Sequence, residues 1–247
     1  MRVRAITLAN YRNYEAETIA PSPSVNIFLG RNAQGKTNIL EGIWYAALGR
    51  SHRARTDAEL IRWSEAAGRL SLVTERRGVE YALEFRFLRG RRRQIFLGGQ
   101  SIPLRDLIGI LNVVLFSPED LLFVKGAPEG RRRFLNMELS QADAAYFYDL
   151  AIYTRLLSQR NALLKKLRER GGQSSELQPW DVQLAEKAVS IVEKRQKSVA
   201  KLNHLAGEIH HRLTKSEERL TINTAATAPR KWQNRSFRGY SDRKSVV

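Results

Sequence analysis

The chain has 247 residues, of which 43% are hydrophobic and 27% charged, which allows a sizeable core and excludes wholesale disorder. The absence of cysteine excludes disulfides and thiolate metal sites, and no run approaches the ~20 apolar residues of a membrane span. We therefore expect a cytoplasmic protein. The formal net charge of +17, from 42 Lys and Arg against 25 Asp and Glu, favours a polyanionic partner, with nucleic acid as the leading candidate.

The first predicted elements lie on either side of a glycine-rich turn. An apolar run over residues 25–29 predicts a short strand that leads directly into Gly30. After the turn, apolar residues at helical spacing over 37–47 predict a helix, and Gly49 has the position of its C-terminal cap.

A period of two between residues 70 and 102 predicts an antiparallel meander. The alternation is clearest over 79–87, which indicates a half-buried strand. Arg77-Gly78 and Gly98-Gly99 are turn signals on either side of it. A further apolar run over 113–116 predicts a buried strand that stops at Ser117-Pro118.

From about residue 129 onward the pattern is almost wholly helical. One apolar stripe at helical spacing ends at Gly171-Gly172, and its members are Tyr146, Leu150, Tyr153, Leu157, Leu164 and Leu167. After a polar connector, a second long helix begins near Trp180, with an apolar seam at Val182, Ala185, Val189 and Val192. Two antiparallel helices packed on each other explain both patterns.

The turn between the first strand and helix has the spacing G-x-x-x-x-G-K-[ST], which is typical of a phosphate-binding loop. The glycines allow the backbone amides to turn inward as an anion nest at the N-terminus of the following helix. The lysine supplies a charge for the β- and γ-phosphates, and the threonine hydroxyl can ligate Mg²⁺. We therefore predict an ATP and Mg²⁺ site at Gly30, Arg31, Asn32, Ala33, Gln34, Gly35, Lys36 and Thr37, with Thr37 as the metal ligand.

Several segments together resemble the RecF family of DNA-repair ATPases, which are ABC-type ATPases related to the SMC proteins. The resemblance covers residues 1–220 and rests on the sequences at 11–14, 30–41, 49–53, 115–121, 131–135, 159–161 and 180–184. It implies an α/β fold: a P-loop NTPase lobe of the ABC type with a mixed sheet, plus an inserted helical lobe with two long antiparallel helices. The boundaries that we predict are 1–128 for the ATP-binding lobe, 129–220 for the helical lobe and 221–247 for an irregular basic tail.

The resemblance also implies a function in recombinational DNA repair and replication. Members of the family form nucleotide-dependent homodimers on single-stranded and duplex DNA, act with RecO and RecR at gaps and stalled forks, and support the SOS response. Carried over to this sequence, Arg12 and Asn13 would approach the nucleotide from the first strand. Ser117, Pro118, Glu119 and Asp120 would lie near the loop that senses the γ-phosphate.

Two catalytic motifs of ABC-type ATPases are not found in this sequence. They are a hydrophobic strand that ends in an acidic pair and a Ser-Gly-Gln-type signature. We predict no catalytic residue for this reason, and ATP hydrolysis stays open. Since the family pattern dissolves after Leu220 into a basic, irregular tail, we expect a truncated or frame-shifted product.

Other features leave alternatives open. Arg89 and Arg91 to Arg93 form one basic run and Arg131 to Arg133 another, and each is either a solvated surface or a DNA contact. The histidines near 204–211 do not indicate a metal site, and the aromatic residues at 146–153 indicate helix packing rather than base stacking. Two other functions are a non-catalytic DNA-binding module with a vestigial loop and an unrelated P-loop kinase or GTPase.

Overall fold

The computed structural model describes residues 1–117, 120, 127–215 and 217–224. The chain divides into two compact units, Met1–Ile191 and a second that begins at Val192. The boundaries predicted at residues 128 and 220 remain predictions. Among the described residues, no helix has the length and apolar character that a membrane span requires.

A six-stranded sheet with the order β2-β1-β3-β4-β5-β6 organises the first unit, and each strand is antiparallel to its neighbours. Its strands are β1 (Arg2–Tyr11), β2 (Tyr14–Ile19), β3 (Ala67–Arg76), β4 (Val79–Leu88), β5 (Gln94–Leu97) and β6 (Gln100–Ser101). The predicted meander is confirmed. Leu83, Phe85 and Phe87 alternate into the core on β4, as the period of two requires.

Helix α1 (Lys36–Leu48) packs on one face of this sheet. A Cβ added to Gly42 would lie 3.2 Å from Ile6 Cδ1 and 3.3 Å from Leu70 Cδ1, so the helix backbone comes close to β1 and β3. The Tyr45 ring meets the rings of Phe85 and Phe87 edge to face, each at 5.3 Å between centroids. The helix ends at Gly49 in the left-handed conformation (φ 62°), and its predicted cap is therefore confirmed.

The strands predicted over 25–29 and 113–116 are wrong, because neither segment is a strand in the structure. Val25, Ile27 and Leu29 are exposed by 76–88%, and Val114 and Phe116 are also exposed. A strand needs a ladder partner for its backbone groups. No strand among the described residues pairs with either segment, so their apolar character alone does not produce a strand.

Helices follow the sheet along the chain. They are α2 (Leu104–Leu107), α3 (Pro128–Ala142), α4 (Ala144–Arg170) and α5 (Gln178–Leu213), with a 3₁₀ turn at Ser174–Leu177 before α5. Asp143 caps α4 by accepting hydrogen bonds from the amides of Ala145 and Tyr146. Gly171 ends α4 in the left-handed conformation, at the predicted position.

The start of α5 lies antiparallel to α4, as predicted. Arg160 pairs with Asp181, and the Asp149 carboxylate accepts hydrogen bonds of 2.8 Å from both Lys187 and Ser190. The predicted apolar seam is wrong, however, because Val182 and Val189 are exposed while Ile191 is buried. The Asp149 pairs place Lys187 and Ser190 on the inner face, and the valines consequently face solvent.

The second unit contains the rest of α5 and an irregular segment after it. The Ile222 amide donates to Asn203 Oδ1 at 2.6 Å, which holds this segment against the helix. Val199 is buried. Residues 221–224 are irregular, and the remainder of the predicted basic tail lies outside the described residues.

Candidate functional site

The predicted phosphate loop forms a turn at the N-terminus of α1. Three of its residues have positive φ angles, namely Gly30 at 152°, Ala33 at 64° and Gly35 at 97°. The backbone amides of residues 31–35 donate no hydrogen bond to any acceptor among the described residues. These amides and the positive end of α1 are thus available to an anion.

Lys36 bends back over this loop. Its Nζ donates hydrogen bonds to the carbonyl oxygens of Gly30 at 2.6 Å and Arg31 at 2.5 Å. This contact holds the ammonium group beside the free amides, where phosphate oxygens would meet both. Thr37 follows in the first turn of α1 and is exposed, so its hydroxyl is accessible to a metal ion.

The turn from β1 into β2 packs against the predicted phosphate loop. Gly35 has a φ of 97°, which strains any other residue, and a Cβ there would lie 2.7 Å from Asn13 Oδ1 and 2.8 Å from Tyr14 Cζ, so a larger residue would have to displace these side chains. Asn38 Nδ2 donates to Asn13 Oδ1 at 2.8 Å, and Arg53 Nη1 donates to Asn38 Oδ1 at 3.1 Å. Asn13 therefore lies at the base of the loop.

Arg12 is bound to α1 by a buried carboxylate. Its Nε and Nη2 donate to the two oxygens of Glu41 at 2.9 and 2.7 Å, and its Nη1 donates to the Glu59 carbonyl at 3.0 Å. Ser51 Oγ also donates to Glu41. Burial alone would raise the pKa of Glu41, but the hydrogen bonds from Arg12 and Ser51 outweigh it and hold the pKa below its ordinary value.

This arrangement gives Arg12 a structural contact in addition to the predicted approach to a nucleotide. Sequence reasoning missed Glu41 and Ser51. The available signal was an acidic residue on the buried face of an otherwise apolar helix, since a buried carboxylate requires a partner.

The predicted γ-phosphate segment is described only in part. The Ser117 amide donates to Asp120 Oδ2 at 2.7 Å, and the Asp120 amide donates to the Ser117 carbonyl at 3.0 Å, so these two residues close a turn. Pro118 and Glu119 lie outside the described residues.

The histidines and aromatic residues differ in part from expectation. His204 and His210 each lie 3.5 Å from a carboxylate, that of Glu208 and that of Glu218, although no such neighbour was expected. Within the described ranges, no group of three or more metal-binding side chains occurs. Tyr146 is a core residue, as predicted, whereas Tyr148 is 59% exposed and does not belong to the core.

The chain resembles known proteins over most of its length. The family model described as an AAA domain matches residues 5–217. The DNA replication and repair protein RecF of Clostridium tetani is 40% identical over 225 residues, which are 90% of this chain and 60% of that protein. RecF of Exiguobacterium sp. is 42% identical over 222 residues, with the same two shares.

Solved structures of RecF also resemble this chain. The structure of the recombination mediator protein RecF-ATP in the RecFOR pathway has a TM-score of 0.82 and 30% identity, over 86% of this chain and 58% of that one. The matching complex described as RecF-ATPrS has a TM-score of 0.81. The chain thus spans about 60% of the length of the curated relatives that it matches. With a P-loop ATPase fold, the chain belongs to the AAA domain family, and its sequence corresponds to the N-terminal part of RecF.

Proposed function

We propose that this chain binds ATP with Mg²⁺ and that ATP acts as a switch for self-association and for binding to DNA during repair. The observation that carries the proposal is the loop over residues 30–37. Its amides at 31–35 have no acceptor among the described residues, and Lys36 Nζ lies on the Gly30 and Arg31 carbonyls. These amides, the N-terminus of α1 and Lys36 are the donors that a triphosphate tail requires.

Different residues of the loop would bind the phosphates and the metal ion. Lys36 would exchange its two carbonyl acceptors for oxygens of the β- and γ-phosphates, which carry more charge. The Thr37 hydroxyl would hold Mg²⁺ together with those oxygens. Because the described residues contain no cluster of three acidic or histidine ligands, the nucleotide itself would supply most of the metal coordination, as is usual for Mg²⁺.

DNA is the second ligand that we propose. The net charge of +17 supports a polyanionic partner, and the relatives are named as DNA replication and repair proteins. The finer assignment follows the family resemblance: single-stranded and duplex DNA at gaps and stalled forks, an ATP-dependent homodimer, RecO and RecR as partners, and SOS induction in the cytoplasm. ATP binding is sufficient for such a switch, and the proposal includes no hydrolysis step.

Fluorescence anisotropy with labelled DNA tests this function. We expect ATP and Mg²⁺ to tighten DNA binding by the wild-type chain, and we expect Lys36→Ala to remove the ATP effect while Lys166→Ala, an exposed lysine on α4, retains it. DNA binding that is indifferent to ATP would instead identify a DNA-binding module with a vestigial loop. A chain that binds ATP but no DNA at moderate salt would contradict the DNA part of the proposal.

A further inference from the structure

A cavity of about 660 Å³ is lined largely by the segment that follows α1, and its charged side chains are mostly cationic. Its wall includes five arginines and a single acidic residue, Asp57. The arginines are Arg50, Arg53, Arg55, Arg93 and Arg133. None of residues 30–37 lines this cavity, so it is distinct from the phosphate loop, although Arg53 in its wall contacts Asn38 near the start of α1.

The fold brings these arginines together from three distant parts of the sequence. Arg50, Arg53 and Arg55 belong to the segment after α1, which contains the family-like sequence at 49–53. Arg93 ends the first basic run, and Arg133 ends the second, on α3. Among the residues of those two runs, only Arg93 and Arg133 line the cavity, so the structure selects one arginine from each.

One of these arginines is held in place by the protein. Arg93 Nη1 donates to Asp57 Oδ2 at 2.7 Å, and the Arg93 guanidinium lies 5.7 Å from the centre of the Tyr45 ring. Tyr45 in turn donates to the other oxygen of Asp57 at 2.7 Å. Both carboxylate oxygens of Asp57 thus accept a hydrogen bond, from Arg93 and from Tyr45, and Asp57 does not neutralise the remaining cations.

Three other arginines of the cavity differ from Arg93 in their ion pairs. Among the described residues, no carboxylate forms an ion pair with Arg50, Arg55 or Arg133. Arg50 and Arg133 are both exposed, so their guanidinium groups are accessible from solvent. Burial and then the neighbouring charge of Arg133 lower the pKa of Arg50, and a bound anion would favour its charged form.

Arginine is suited to one class of anion in particular. Its planar guanidinium donates paired hydrogen bonds to the oxygens of a phosphate group, and its desolvation costs less free energy than that of an ammonium group.

Arg53 further connects the cavity to the base of the phosphate loop through Asn38. An anion in the cavity and a nucleotide in the loop would thus act on neighbouring parts of α1.

We propose that this arginine cavity binds a backbone phosphate of a nucleic-acid strand through Arg50 and Arg133, with Arg93 as the positioned third donor. This inference rests on the proposed function, because it assigns residues to the DNA contact. It distinguishes the cavity arginines from the other members of both basic runs, which we expect to contribute only general attraction.

The test is DNA affinity at several salt concentrations for the double variant Arg50→Gln/Arg133→Gln. Its matched control is Lys166→Gln/Arg168→Gln, which removes the same charge from exposed positions on α4. We expect the cavity variant to bind DNA at least tenfold more weakly and to lose about 0.7–0.9 of the salt slope for each phosphate contact removed. We expect the control to change affinity by less than about threefold.

Two further measurements separate this role from a purely structural one. The melting temperature of the cavity variant without ligand should be unchanged, because Arg50 and Arg133 are exposed and form no ion pair with a described carboxylate, and binding of a fluorescent ATP analogue should persist. Equal losses of DNA affinity in the two double variants would overturn the cavity proposal while leaving the proposed function intact. If the wild-type chain binds inorganic pyrophosphate in this cavity but binds no DNA, both the nucleic-acid assignment and the DNA function are wrong.

Discussion

The buried contact between Arg12 and Glu41 allows a quantitative test of how the phosphate-loop helix is attached to the sheet. Replacing Glu41 by Gln keeps the size of the side chain but removes the charge that meets Arg12 and Ser51. Glu41 is fully buried, and the Arg12 side chain is 21% exposed. The substitution therefore leaves a mostly buried guanidinium without its anion.

The expected cost follows from this geometry. Breaking a fully buried ion pair costs about 3–5 kcal/mol. Arg12 is partly exposed and keeps its hydrogen bond to the Glu59 carbonyl, and glutamine still offers one acceptor oxygen. We therefore expect Glu41→Gln to lower the free energy of unfolding by about 2–3 kcal/mol at neutral pH.

The effect should depend on pH in a defined direction. The folded state lowers the pKa of Glu41 below the ordinary value of 4.5. Its stabilising contribution is thus complete above about pH 5 and is lost as the pH falls below 4.5 through the folded pKa. The difference in unfolding free energy between wild type and Glu41→Gln should shrink over that acidic range.

Urea denaturation of both proteins at several pH values measures this difference. The matched control is Glu80→Gln, since Glu80 is 63% exposed and lies 3.9 Å from Arg4, and we expect it to change stability by no more than about 0.5 kcal/mol. If Glu41→Gln costs no more than the control, or if its cost is the same at pH 3.5 and pH 7, our reasoning about this contact is refuted.

Two glycine substitutions test local geometry. In urea denaturation, Gly49→Ala should destabilise the chain by more than Gly78→Ala. Both glycines have positive φ, but of the two only Gly49 has a neighbour that an added Cβ would meet, Leu104 Cδ1 at 2.3 Å. We expect a loss of unfolding free energy of about 1 kcal/mol at Gly78 and at least 2 kcal/mol at Gly49. Equal costs would contradict the close approach of Leu104. Gly35→Ala should weaken binding of a fluorescent ATP analogue at least tenfold, because it displaces Asn13 and Tyr14 from the loop, and unchanged affinity would show that this support is dispensable.

Local signals in the sequence were sufficient for several elements. The helical spacing and Gly49 predicted α1 with its cap, and the strict alternation over 79–87 predicted β4, because one face of each packs on the core. The spacing from Gly30 to Thr37 located the loop at the N-terminus of a helix. Each of these signals depends on residues that are close together in the chain.

Other features depend on distant residues, which explains why the sequence did not reveal them. The apolar runs at 25–29 and 113–116 resemble strands, but a strand also requires a partner, and none of the described residues provides one. The arginine cavity combines residues 50, 93 and 133, and only the packed structure shows which members of the basic runs meet. The Glu41 contact with Arg12 likewise crosses 29 residues of sequence.

The most direct test of the central claim, that residues 30–37 bind the phosphates of ATP, is titration with a fluorescent ATP analogue in the presence of Mg²⁺. Each charge-assisted hydrogen bond from Lys36 is worth ~1.5–3 kcal/mol, so Lys36→Ala should weaken binding by tenfold to a hundredfold or more. Lys166→Ala should bind like the wild type. A Lys36→Ala variant that binds the analogue within twofold of the wild type, or a wild-type chain that does not bind it, would contradict this account.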